Sequence, residues 1–188
     1  MRTHVALLRG INVGGQGKVP MAELREVLAS LGHQDVATYI QTGNVVFTSP
    51  QADSARLADD LEEAIATRFG LRTGVVVLTR ADLARVIADN PYPEAASPKM
   101  VHAVFRREEP TAEQLAGIEA AEQRARDKGS RDEATVIGRV LFLYTPDGFG
   151  RSELAAQLSR AGQALTPAAG GTARNWATVT KLMSLLED

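Results

Sequence analysis

The chain has 188 residues, 44% of them hydrophobic and 23% charged, which excludes disorder as its main state and leaves room for one large domain or two small ones. A formal net charge of -2 and a pI of about 6.0 exclude a basic coat of the kind that wraps duplex DNA. With no cysteine, disulfides, thiolate zinc sites, iron–sulfur clusters and cysteine nucleophiles are excluded as well. In chain order, Val5–Leu8 reads as a buried strand and Gly10–Gly17 as a loop. Pro20 stands where a first helical residue belongs, Met21, Leu24, Val27, Leu28 and Leu31 follow at helical spacing, and Gly32 closes the helix. Val36–Ile40 is a strand, Thr42-Gly43-Asn44 a tight turn and Val45–Thr48 the return strand. Asp53 or Ser54 caps a helix carrying Leu57, Leu61, Ala64, Ile65 and Phe69, Gly70 ends it, and Val75–Leu78 is a continuous apolar strand.

This β-α-β-β-α-β order is the split β-α-β, or ferredoxin-like, unit. A helix capped by Thr79 follows and is broken at Asn90-Pro91-Tyr92-Pro93. A second series then begins. Val101–Phe105 is a strand, Thr111 caps a helix, Ala134–Ile137 and Val140–Tyr144 form a hairpin around Gly138-Arg139, and Ser152–Ala161 is helical. Thr166–Thr172 reads as irregular or as holding a short edge strand, and Asn175 caps a last helix with Trp176, Val179, Leu182, Met183 and Leu186 on one face. The expected fold class is α+β, with two ferredoxin-like (α/β plait) subdomains, each an antiparallel sheet with helices on one face. Residues 1–80 form the first, 81–99 a connecting helix and linker, and 100–188 the second with its C-terminal helix.

No run approaches the roughly 20 apolar residues of a membrane helix. Val5–Leu8 is too short for an export signal and Arg9 interrupts it. A cytoplasmic location without a membrane partner is expected.

Four blocks carry a resemblance. They are Arg9-Gly10-Ile11-Asn12-Val13-Gly14-Gly15 with Met21-Ala22 and Leu24, Thr38-Tyr39-Ile40-Gln41-Thr42-Gly43-Asn44-Val45-Val46-Phe47, Asn90-Pro91-Tyr92, and Thr172-Ala173-Arg174-Asn175-Trp176 continuing to Leu182. Together they resemble the bacterial domain-of-unknown-function family numbered 1697. The resemblance implies tandem α/β-plait subdomains and no assigned activity. Gly17, Thr42 and Ala177 depart from that pattern, where Asn, Ser and Asn are more usual.

Topology puts the loop Gly10–Val19 and the hairpin Gln41–Asn44 at one edge of the first subdomain. The loop holds Gly10, Gly14, Gly15 and Gly17 between Arg9 and Lys18, has no acidic residue before Glu23, and feeds a helix N-terminus. That combination suits a phosphate or carboxylate. It is neither a Walker A loop, since Asn12 and Val19 stand at required Gly and Ser/Thr positions, nor a dinucleotide fingerprint, since Pro20 stands for the third glycine. The candidate ligand-binding residues are Arg9, Asn12, Gly14, Gly15, Lys18, Gln41, Thr42, Asn44, Arg174 and Asn175. Turn chemistry alone also explains Thr42-Gly43-Asn44, capping explains Asn175, and core packing explains Trp176. Thr178 and Lys181 are expected on a solvent or ligand face.

His4, His33 and His102 lack paired-ligand spacing, so neither a metal site nor a cofactor is expected, and no Gly-x-Ser-x-Gly elbow occurs. Asp59, Asp60, Glu62 and Glu63 read as a solvated helix face. Three functions stay open. One is a protein binding a small anionic molecule. The second is a single-stranded nucleic-acid module using Tyr39 and Phe47. The third is an enzyme on a phosphorylated or carboxylated small molecule, with Arg9, Lys18 and Arg174 holding the anion and no nucleophile or base to name. Assembly through a sheet edge or a helix is a further alternative, and the oligomeric state is left open.

Overall fold

In a computed structural model of the chain, residues 1–13, 17–160 and 171–188 are described. They divide into two compact units, Met1–Arg85 with Thr180–Asp188, and Val86–Val179. In the first, the apolar runs become β1 (His4–Leu8), β3 (Asn44–Thr48) and β4 (Val75–Thr79), with β2 (Gln34–Tyr39) on the edge; the sheet order is β2-β3-β1-β4. β1 lies between β3 and β4 and is antiparallel to both, with Val5 opposite Val46 and Leu78. Helix α1 (Met21–Ser30) joins β1 to β2, and α2 (Ser54–Phe69) joins β3 to β4. Asp53 caps α2 by accepting from the Ala55 and Arg56 amides, and Gly70 ends it at φ 64°.

Strand alternation sends Ala6, Leu8, Val45, Phe47, Val75 and Val77 into one core with Leu24 and Leu28 of α1 and Leu57, Leu61 and Ile65 of α2. The other sheet face, with Val5, Leu7, Val46, Val76 and Leu78, is also no more than 5% exposed. This first sheet is therefore apolar and covered on both sides.

Helix α3 (Arg80–Ala88) leads on to β5 (Val101–Phe105), α4 (Ala112–Asp127), β6 (Glu133–Ile137), β7 (Val140–Tyr144), α5 (Glu153–Arg160), β8 (Thr172–Asn175) and α6 (Trp176–Glu187). The second sheet has the order β6-β7-β5-β8, again with the first strand of its series between two antiparallel neighbours. Val104, Leu141 and Leu143 pack with Ile118 and Ala121 of α4 and Leu154 and Leu158 of α5. The chain is α+β, built of two α/β subdomains.

Three local expectations are corrected, and a fourth is resolved. Pro20 is the N-cap of α1, with extended backbone at ψ 130°, rather than its first residue. Asn44 is the first residue of β3, paired with Leu7 and Tyr39, because the ladder extends further down the hairpin than the turn residues suggest; of the turn positions, Gly43 takes φ 82°, and upstream Ile40 takes φ 49°. The short edge strand offered for the Thr166–Thr172 stretch begins at Thr172, while residues 166–170 lie outside the described residues. Thr178 is 6% exposed, not solvent-facing, since it lies one residue from the apolar stripe on α6, whereas Lys181 is exposed.

Candidate functional site

Leaving β1, the chain turns through Gly10 (φ 60°), Asn12 (φ 55°) and Gly17 (φ 63°), left-handed conformations that glycine and asparagine tolerate best. Ile11 is fully buried and anchors the loop to the core. Asn12 then closes it. Its Nδ2 donates to the Val19 carbonyl at 2.9 Å and to the Gln41 carbonyl at 2.8 Å, and its Oδ1 accepts the Val19 amide at 2.9 Å. Its own amide donates to the Gly17 carbonyl at 3.0 Å. One side-chain amide thus ties the glycine loop to itself and to the hairpin. The two segments that topology assigns to one edge do meet there.

The hairpin is held from beneath. Leu8 N–H donates to the Gly43 carbonyl at 2.8 Å. A Cβ on Gly43 would stand 2.6 Å from the Leu8 Cβ and 3.0 Å from the Ile11 side chain. Glycine is required here by both φ and space. Asn44, fully buried, donates from Nδ2 to the Tyr39 carbonyl and to Thr42 Oγ1, each at 3.1 Å.

Between loop and hairpin lies a cleft of about 570 Å³ lined by Asn12, Lys18, Val19, Pro20, Met21, Ala22 and Gln41. It opens on the N-terminus of α1. Pro20 makes no side-chain capping bond to that helix, so the positive end of its dipole has no capping side chain from the N-cap residue. Lys18 and Gln41 are exposed. Glu23, the acid of the first turn, is paired with Arg68 at 2.6 Å. No acidic residue is among the described residues lining the cleft.

Of the residues singled out in the sequence, Asn12, Lys18 and Gln41 line this cleft. Thr42 and Asn44 belong to the adjoining hairpin. Arg9 is not among the residues lining the cleft: its amide donates to the Gly74 carbonyl at 3.0 Å, its carbonyl accepts from Thr73 Oγ1 at 2.5 Å, and burial holds its guanidinium pKa below the usual arginine range. Gly14 and Gly15 lie outside the described residues. Arg174 and Asn175 belong to the second unit. Arg174 is 8% exposed, donates from Nη1 to Thr172 Oγ1 at 2.7 Å and to the Ala173 carbonyl at 2.8 Å, and is pushed by burial to a pKa of about 10. Asn175 accepts the Thr178 amide at 2.8 Å, the capping bond expected of it. Val19, Pro20, Met21 and Ala22, which also line the cleft, carry no chemical signature in the sequence.

Residues 1–142 match the family described as "Protein of unknown function (DUF1697)". The chain belongs to this family. The DUF1697 match takes in the glycine loop, the hairpin and every residue of the cleft, and it ends before Arg174. In structure, the chain is similar to a conserved bacterial protein from Streptococcus pneumoniae, with a TM-score of 0.73, 25% sequence identity and 98% of each chain covered. The fold of this DUF1697 member is therefore shared end to end with that protein. No curated protein matches the sequence. No helix among the described residues is long and apolar enough to cross a membrane, and no group of three metal-ligating side chains occurs among them.

Proposed function

We propose that the protein binds a small anionic molecule in the cleft between the glycine loop and the hairpin. The observation that carries this reading is the uncapped N-terminus of α1, which opens on a cleft bordered by Lys18 and Gln41 and fixed by the Asn12 clasp. A helix N-terminus without a capping side chain, beside an exposed ammonium and away from carboxylates, favours a phosphate or carboxylate group. Gln41 adds an amide that can orient a polar ligand. Arg9 and Arg174 are not among the residues lining the cleft and are not part of this reading.

The nucleic-acid alternative is less well supported. Tyr39 pairs with Asn44 on one sheet face, whereas Phe47 pairs with His4 on the other and is fully buried. The two aromatics cannot form one stacking platform.

A thermal-shift panel of nucleotides, sugar phosphates, carboxylates and short RNA tests the reading. A ligand at about a hundred times its dissociation constant adds about 2.7 kcal/mol, a rise of several degrees at roughly 2–4 °C per kcal/mol. Lys18→Ala is expected to weaken an anionic hit about tenfold without lowering the melting temperature of the free protein. A panel in which no anion raises it, or a hit indifferent to Lys18→Ala, rejects the site.

A further inference from the structure

The cleft between the glycine loop and the hairpin is poor in hydrogen-bond donors. The Asn12 side chain spends its two Nδ2 hydrogens on the Val19 and Gln41 carbonyls. The Val19 amide donates to Asn12 Oδ1, and Pro20 has no N–H to give. The side-chain donors that remain in the wall are the Lys18 ammonium and the Gln41 amide, both on exposed residues. Neither an arginine nor a carboxylate is among the described residues lining the cleft, so Lys18 alone sets its side-chain charge.

Phosphate recognition draws on more than this. Phosphate sites supply runs of backbone N–H groups or the bidentate fork of arginine. A phosphate dianion or a polyphosphate held here would keep charge without a counterion and oxygens without donors. A carboxylate has one charge and two oxygens, which an ammonium and an amide can satisfy. The rest of the wall is apolar. Val19 belongs to the core, Met21 is partly buried against that core, and Pro20 and Ala22 are exposed. At about 570 Å³ the cleft has the size of a site for a small organic molecule, with room for far more than a carboxylate group.

We infer that the ligand of this cleft is a monocarboxylate with an apolar body, an inference that rests on the anion reading given above. Lys18 and Gln41 hold the carboxylate, and the aliphatic or aromatic part lies along Val19, Pro20, Met21 and Ala22. Charge and donor supply both select against nucleoside polyphosphates and sugar phosphates.

The test compares acetate, butyrate and hexanoate with inorganic phosphate and a nucleoside triphosphate. Each is titrated into the whole, isotope-labelled protein at pH 7 and constant ionic strength, and backbone amide NMR locates the binding. Saturable shifts are expected at Lys18, Val19, Met21, Ala22 and Gln41, with affinity rising about two- to fourfold per methylene along the carboxylate series. Hexanoate is expected to bind more tightly than phosphate or the triphosphate. Lys18→Ala is expected to weaken hexanoate about tenfold. Met21→Gln, which keeps a straight side chain of good helix propensity, is expected to flatten the dependence on chain length. Tightest binding of phosphate or the triphosphate at these amides, or carboxylate affinity indifferent to chain length, would overturn the inference and leave the anion site standing. With no saturable shift at these amides for any probe, both would fall.

Discussion

Two residues of the first unit decide whether the glycine loop and the hairpin form a site at all. Gly43 sits at φ 82° with Leu8 and Ile11 against the place a Cβ would occupy. Gly43→Ala is therefore expected to cost about 1–3 kcal/mol from overpacking, with backbone strain in addition; urea unfolding measures it, and an unchanged midpoint would show that the hairpin relaxes freely. Asn12→Gly keeps the left-handed backbone but removes the clasp on Val19 and Gln41. It is expected to cost about 1–2 kcal/mol and to lose the anion response of the cleft, as read by the same melting assay. The glycine was legible in the sequence as a turn residue, since few other residues suit that conformation. The clasp was not. Asparagine is equally common in loops with no such role, and only the approach of residues 12 and 41, distant in sequence, gives its amide a job. Asn44 failed for a related reason: its residue type suits a turn, but pairing with Leu7 and Tyr39 makes it part of a strand.

Helix ends in this chain follow local chemistry closely. Asp53, Thr79, Thr111 and Asn175 each accept the amide bond expected of them, which explains why the order of elements could be read without the structure. Each cap needs only a side-chain oxygen and the helical pattern behind it. Helix α5 depends on more. Ser152 Oγ accepts the Ala155 amide at 2.9 Å and donates to the buried Asp132 at 2.9 Å, and Asp132 also accepts the Leu154 amide at 3.3 Å. Ser152→Ala is expected to cost about 1–2 kcal/mol, and Asp132→Ala more, since it leaves two donors behind. Chemical denaturation of both variants checks the order, and equal small losses would contradict it. Two chain-distant residues share this cap, so the sequence showed only its serine. The cover over the second face of the first sheet was also invisible in advance, because alternation of apolar residues shows that a face is buried but not by what.

Across the molecule burial lowers the pKa of all three histidines. Burial lowers the pKa of His4, helped by nearby His33 and opposed by Asp82; burial lowers His33 against Asp60; and burial brings His102, stacked on Phe149, to about 4. A histidine whose folded pKa lies below its unfolded value takes up its proton more readily when unfolded. Its contribution is complete above about pH 6.5 and is lost as pH falls toward the folded value. For His102, stability is expected to decline between pH 6.5 and pH 4 by at most about 1.4 kcal/mol per pH unit, and His4 and His33 act in the same direction. His102→Phe is expected to make that decline shallower, and an identical slope in denaturant unfolding would contradict the assignment. Asp82 acts lower on the scale. Burial raises its pKa, but the Thr79 hydrogen bonds and Arg85 outweigh burial and hold it below the usual carboxylate range. The central claim, an anion site at the N-terminus of α1, is tested most directly by mapping backbone amide shifts with the strongest anionic hit of the melting panel. The account predicts saturable shifts concentrated at Lys18, Val19, Met21, Ala22 and Gln41. Saturable binding that leaves those amides unmoved would contradict it.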